Sequence, residues 1–200
     1  MNATLDEMIL FTARQTKRTE DVVKTGGVYT EDALEIVNKF IDGFNYAKSK
    51  ICKERHMPLE RDTITVGGET ALVKDIYKVK SIKLAGTQTE VTDWEIGPGL
   101  SIEFPDSYNG LELDIEYYYM IPDFPNNPTA TDLQLMLAFP EAIVDFRILC
   151  FYACYEYHLI KGSDRDLDKT GFFLSKWNDG YLHIPKTIKG NKTVKNRARY

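Results

Sequence analysis

Cysteine is scarce in this chain: three residues in 200, an odd number, at spacings that match neither a disulfide framework nor a zinc site. That usage fits a reducing compartment. No run of about 18 apolar residues occurs, so no membrane-spanning helix is expected. The first 20 residues are polar and amphipathic, and no signal peptide is expected either. Acids are missing from the last 18 residues, His183 to Tyr200, which hold six Lys/Arg. Without those six, positions 1–182 carry 19 basic against 30 acidic residues, a net of -11, although the whole chain is only -5. The sequence is an acidic body with a basic tail. A catalytic signature is also absent. His56 and His183 have no Ser or Cys nearby in a nucleophile context. Gly67-Gly68 and Gly97-Pro98-Gly99 lie between expected strands, whereas a phosphate loop needs a strand before it and a helix after it. Enzymatic activity and a cofactor are therefore not expected.

What the chain does have is regular patterning. At 43% hydrophobic it can bury the core of one domain, or of one domain and an insertion. Thr4-Leu5-Asp6-Glu7 reads as a capping box opening a short helix that carries Leu5, Met8, Ile9 and Ala13 and fades near Arg18. A polar loop with Gly26-Gly27 follows. Thr30 then caps a long helix with Glu31 and Asp32 in its first turn and Lys48, Lys50, Lys53 and Arg55 near its end, both suited to the macrodipole. Its stripe is Ala33, Leu34, Val37, Phe40, Ile41, Phe44, Ala47 and Ile51, and Pro58 stops it.

From position 63 to 121 the texture is that of strands. Thr63–Val66, Val79–Leu84, Val91–Ile96, Leu100–Phe104 and Leu111–Ile121 are separated by turn residues at short intervals, which predicts a small antiparallel meander. The last is the most telling. Leu111, Leu113, Ile115, Tyr117, Tyr119 and Ile121 alternate with Glu112, Asp114, Glu116, Tyr118 and Met120, the mark of a half-buried strand. With PDSYNG as the turn, Leu100–Phe104 and Leu111–Ile121 are expected to form a hairpin.

DFPNNPTATD is then a Pro/Asn-rich linker. Pro140 is placed at the first turn of a helix reaching about Lys161, whose middle, Ile148 to Tyr155, is apolar all round and calls for cover from its own chain or from neighbouring subunits. Gly162 ends it. Ser163 caps the next helix, with Leu167, Thr170, Leu174 and Trp177 as its stripe before Gly180. The fold class is thus α+β. A bundle of about four helices is built from residues 1–62 and 131–182, with a small antiparallel β region inserted at 63–122 and an extended basic arm at 183–200.

Three clusters invite chemistry. Cys150, Cys154 and His158 stand at i, i+4 and i+8 on one helix, but the outer two are about 12 Å apart along the axis and cannot share one ion unaided. Buried thiols are mostly core, and no metal is expected. Glu112, Asp114 and Glu116 share one strand face, spaced for an acid/base pair. They also suit a solvated face or a negative wall toward a channel that passes DNA. Lys186, Lys189, Lys192, Lys195, Arg197 and Arg199, with Tyr200 as an aromatic anchor, form an arm suited to docking on a partner. Eighteen extended residues reach about 60 Å.

The order of elements resembles the head–tail connector, or adaptor, proteins of tailed bacteriophages, including the tubular adaptors of short-tailed phages. The matching pieces are Thr30-Glu31-Asp32 opening the long helix, LSIEFPDSYNGLELDIEYYYMIP, and the following FPEAIVDFRILCFYACYEY, over residues 4 to 180. The resemblance implies a non-enzymatic virion protein, made in the host cytoplasm, that forms a ring, commonly twelvefold. That ring would sit beneath the portal protein in the neck and contact further neck or tail proteins, with no membrane involved. The arm would reach into portal subunits and the lumen would pass genomic DNA. The competing class is a nucleic-acid-binding protein using the basic tail, which a body of -11 opposes at moderate salt. An enzyme built on Glu112, Asp114 or Glu116 lacks a convergent pocket signal.

Overall fold

Three of the four α-helices among the described residues begin where a side-chain oxygen satisfies free amides of the first turn. The computed structural model describes residues 3–67, 72, 76–97, 101–136, 139, 144–160 and 165–186. Thr4 and Glu7 form the capping box, with the Thr4 N–H donating to the Glu7 carboxylate at 2.8 Å and the Glu7 N–H to the Thr4 hydroxyl at 3.2 Å. They open α1, Leu5–Thr16, which Lys17 closes in the left-handed region at φ 59°. The expected loop after it is a small hairpin, β1 Lys24–Thr25 and β2 Val28–Tyr29. Gly26 and Gly27, at φ 63° and 85°, supply the two positive φ angles that a two-residue turn requires. Asp6 holds this hairpin, accepting from the Tyr29 hydroxyl at 2.7 Å and pairing with Lys24.

Helix α2 is Glu31–Glu54. Thr30 occupies the N-cap position, but its side chain makes no cap bond. Its carbonyl accepts from Ala33 and Leu34 instead. The buried stripe is the expected one with Leu34 only half-buried, plus Gly43, Lys48 and Cys52. Lys48 corrects its expected role at the helix end. It is buried, with Nζ 3.3 Å from Asp123, 3.1 Å from the Asn45 side-chain oxygen and 4.6 Å from the Phe124 ring centre.

Those contacts belong to a strap. Asn45 bonds the Phe124 backbone in both directions at 2.8 Å, and Asn38 and Asn127 exchange two bonds at 2.9 Å. Asn38 and Asn45 lie seven residues apart, so one helix face carries both ends of the strap.

Two later helices start further on than expected, each behind an aspartate whose side chain accepts from a first-turn N–H. Helix α3 is Phe146–Leu159, capped by Asp145, and α4 is Leu167–His183, capped by Asp166. Pro140, Gly162 and Ser163 lie outside the described residues. Helix α3 packs against α1, α2 and α4, so its apolar girth is covered by its own chain. The α4 stripe is rotated from the expected one: Thr170, Phe173, Trp177 and Tyr181 are buried, while Leu167 is exposed. Aromatic rings decide this, since Trp177 meets Tyr152 at 4.9 Å and Tyr181 at 5.0 Å, and Phe173 stacks on His158 at 5.7 Å. The helix passes through Gly180 and includes His183, and Ile184 is buried, so no arm begins at 183.

The chain divides into two compact units, a helical one of Met1–His56 with Asp123–Tyr200 and a β unit of Met57–Pro122. In the latter, β3 Leu59–Thr65, β4 Ile76–Leu84 and β7 Glu112–Tyr119 form a three-stranded antiparallel sheet in the order β3-β7-β4. This is not the meander expected. The proposed hairpin is also wrong: β6, Ile102–Glu103, pairs with β5, Glu95–Ile96, while β7 lies centrally between β3 and β4. PDSYNG holds a 3-10 turn at Asp106–Tyr108 that carries the chain from one sheet to the other. The alternation in β7 is as read, with Leu113, Ile115, Tyr117 and Tyr119 buried. The protein is α+β, with four α-helices and small antiparallel sheets among the described residues.

Candidate functional site

The outer face of the three-stranded sheet carries the candidate carboxylates. Arg61 and Thr63 of β3 stand opposite Glu116 and Asp114, and Ser81 and Lys83 of β4 stand opposite the same pair. This register closes a set of cross-strand bonds. Asp114 accepts from the Thr63 hydroxyl at 2.7 Å and from Arg61 at 2.9 Å. Glu116 meets Lys80 at 3.1 Å and accepts from Ser81 at 3.3 Å. The hydroxyl of Thr63 and then the Arg61 guanidinium hold the Asp114 carboxyl below its usual range, and Lys80 does the same for Glu116.

The acidic row lies on the sheet's outer face but is not a row of free carboxylates. Two of its three carboxylates are neutralised by neighbouring strands, and Glu112 alone is exposed. An acid/base pair is disfavoured by the same facts, because a general acid near neutral pH needs a raised pKa, not a lowered one. The bases on β3 and β4 were visible in the sequence. Their placement beside β7 was not, since it depends on strand order.

The thiol–imidazole row fails as a metal site on geometry. The Cys150 Sγ lies 3.7 Å from the Met8 carbonyl, facing α1, whereas His158 stacks on Phe173 of α4. No group of three His, Cys, Asp or Glu able to hold an ion occurs among the described residues. Burial pushes the Cys150 thiol up to about 12 and raises Cys154 further, which leaves both as unreactive thiols.

His183 is exposed, its ring set against the Asp179 carbonyl one turn back. A recess of about 450 Å³ is lined by Glu20, Asp21, Val23, Thr30, Asp32 and Ile36. It offers no nucleophile–base pair, and Asp21 is engaged by Arg18 at 3.1 Å. Of the basic arm, Lys186 is exposed just beyond α4. Lys189, Lys192, Lys195, Arg197, Arg199 and Tyr200 lie outside the described residues.

Two buried imidazoles give the helical unit a pH dependence. Burial lowers the pKa of His56, whose Nδ1 meets no partner among the described residues, and of His158, where Lys169 adds to the effect. The unfolded chain then takes up protons first, near pH 6.5. Stability is full above that pH and falls as pH drops through it toward the folded-state values. A further loss at lower pH follows from Asp145 and Asp166, whose pKa values are lowered by Arg147 and Lys169. Denaturant midpoints are expected to fall between pH 7.5 and 5.5, and His56→Gln with His158→Gln should flatten that slope. An unchanged slope in the double variant would remove the assignment.

No described helix is long and apolar enough to cross a membrane. No protein-family model and no curated protein matches this sequence.

Proposed function

We propose that this chain is a structural virion protein of a tailed bacteriophage, a head-to-tail connector that assembles as a ring beneath the portal and lets the genome pass through its lumen. It works without a catalytic site or cofactor, in the neck of the particle, bound to portal protein, to copies of itself and to further neck or tail proteins. The observation that carries this reading is the interrupted helical unit. Two helices, α1 and α2, precede a single β unit at Met57–Pro122, and two more, α3 and α4, complete the packing after it. The helix–helix–β–helix–helix order is the one in which the chain resembles connectors. The hairpin expected at the end of the β region is not part of that support, since β6 pairs with β5 and β7 lies between β3 and β4.

The paired carboxylates of β7 fit a surface that neither attracts nor strongly repels phosphates, since bases and acids alternate across it. Helix α3 is covered by α1, α2 and α4, so its burial requires no neighbouring subunit. The basic segment beyond Lys186 supplies the docking element. Many weak contacts between copies add up once a ring closes.

Electron-microscopic class averages of the chain mixed with portal-containing heads are expected to show rings with a central hole and added density at the neck. The chain cut after Lys186 should keep its helical content and lose co-sedimentation with heads. The cut belongs there and not at His183, because Ile184 is buried. Absence from assembled virions, or a position on the capsid surface, would overturn the proposal.

A further inference from the structure

Among the described residues, strand β3 is an open sheet edge. In its ladder with β7, the Tyr119 N–H donates to the Pro58 carbonyl at 3.2 Å and the Val66 N–H to the Leu111 carbonyl at 3.0 Å. Antiparallel bonding alternates by two residues. The even-numbered residues of β3 therefore bond inward, and Leu59, Arg61, Thr63 and Thr65 turn their N–H and C=O groups outward. No backbone hydrogen bond meets these outward groups among the described residues. The strand runs seven residues without a bulge or a proline. The other edge is protected: β4 has two register shifts and three lysines, and residues 89–91 bond along it, with the Leu84 N–H donating to Thr89 at 3.1 Å and the Val91 N–H to Ile82 at 2.9 Å.

Charge selects what can pair with β3. Glu60 and Asp62 lie on the sheet's apolar face, opposite Tyr117 and Ile115, and are half-buried. Asp62 accepts from the Tyr117 hydroxyl at 2.6 Å. An apolar strand added here would desolvate both carboxylates with no compensation. A second β3 is no better. Paired antiparallel about Asp62, the two strands set Asp62 against Asp62; paired about Arg61, they set Glu60 against Asp62; paired about Thr63, they set Asp62 against Ile64. Like charges directly opposite are destabilising, and so is a short carboxylate buried against an apolar side chain, whereas a lysine can lay its stem along one and keep its ammonium in solvent. A strand with a base at every second residue satisfies the edge. The sequence holds one such triplet, Lys195, Arg197 and Arg199, in the segment TVKNRARY at its end.

We propose that residues 193–200 of a neighbouring copy add to β3 as a fourth, antiparallel strand, with Arg197 opposite Asp62 and Arg199 opposite Glu60. Tyr200 then lies beside Leu59, which is 43% exposed and gains cover. Main-chain bonds supply affinity, and the alternate bases supply selectivity. The choice of a neighbouring copy rests on the ring reading. The match between edge and segment does not.

Variants of the full chain with one added cysteine test this, because the native thiols are buried. Ile64→Cys in one chain and Lys195→Cys in another stand opposite each other in this register, and mild oxidation of the mixture should yield a one-to-one disulfide dimer. Thr65→Cys, on the other face, should link at least tenfold less. Glu60→Lys, or Thr63→Pro, which removes an outward N–H and the hydroxyl bond to Asp114 but spares the backbone bonds to β7, should each cut the yield by a similar factor. Equal linking at 64 and 65, no linking, or linking only within the doubly substituted chain would overturn the proposal. Linked dimers without rings would leave it standing and sink the ring. Rings that persist undiminished in Thr63→Pro would sink it and leave the ring.

Discussion

Ile115→Asp is expected to unfold the β unit, at a cost of at least about 4 kcal/mol. Ile115 is fully buried on the central strand, opposite Asp62 of β3 and Ile82 of β4. The substitution removes about 2–3 kcal/mol of apolar burial and adds the desolvation of a carboxylate with Asp62 already opposite it. Glu116→Gln, one residue on and facing outward, should change stability by less than about 1 kcal/mol. Its partner Lys80 is 43% exposed, and screened surface pairs contribute little. The two tryptophans make the measurement specific. Trp94 reports on the β unit and the buried Trp177 on the helical unit, so Trp177→Phe isolates the transition of interest. Equal tolerance at 115 and 116 would show that the β7 register is wrong.

That strand also shows what a sequence can and cannot declare. Alternation in β7 told which side chains are buried, because a period of two is a property of one strand alone. It could not tell which strands flank it. Proximity in sequence favoured Leu100–Phe104 as a hairpin partner, yet the chain turns through Asp106–Tyr108 and inserts β7 between β3 and β4. The candidate site was lost by the same route. Asp114 and Glu116 looked free since their partners, Arg61 and Lys80, stand 53 and 36 positions away in sequence.

The helical unit was more legible at its start than at its end. The capping box at Thr4 is local chemistry and was read as it stands, whereas Asp145 and Asp166 competed with plausible alternatives at Pro140 and Ser163. In α4, Phe173 and Tyr181 displaced Leu167 and Leu174 from the expected stripe, because ring stacking with His158 and Trp177 depends on neighbours that periodicity does not contain. Lys48 was misread for a similar reason. A lysine near a helix end suits the dipole, and only the strap residues Asp123 and Phe124 make its burial tenable.

Two glycines inside helices are expected to respond to alanine with opposite signs. At Gly43 an added Cβ would lie 2.7 Å from the Ala153 Cα and 2.8 Å from its Cβ, so α2 and α3 cross there with nothing between them. Backbone cannot swing aside as a side chain can. Gly43→Ala must push apart two helices of the core, and overpacking of this kind costs about 1–3 kcal/mol, more than the helix propensity of about 1 kcal/mol returns. Gly43→Leu should abolish folding of the helical unit. Adding Ala153→Gly to Gly43→Ala should recover less than half of the loss, since the nearest clash is with the Cα that remains. Gly171, on the exposed side of α4, has open space around the same added atom. Gly171→Ala should therefore stabilise by about 0.5–1 kcal/mol through reduced freedom of the unfolded chain. Denaturant unfolding followed at Trp177 reads both. Stabilisation by Gly43→Ala would mean that α2 and α3 do not meet at this crossing.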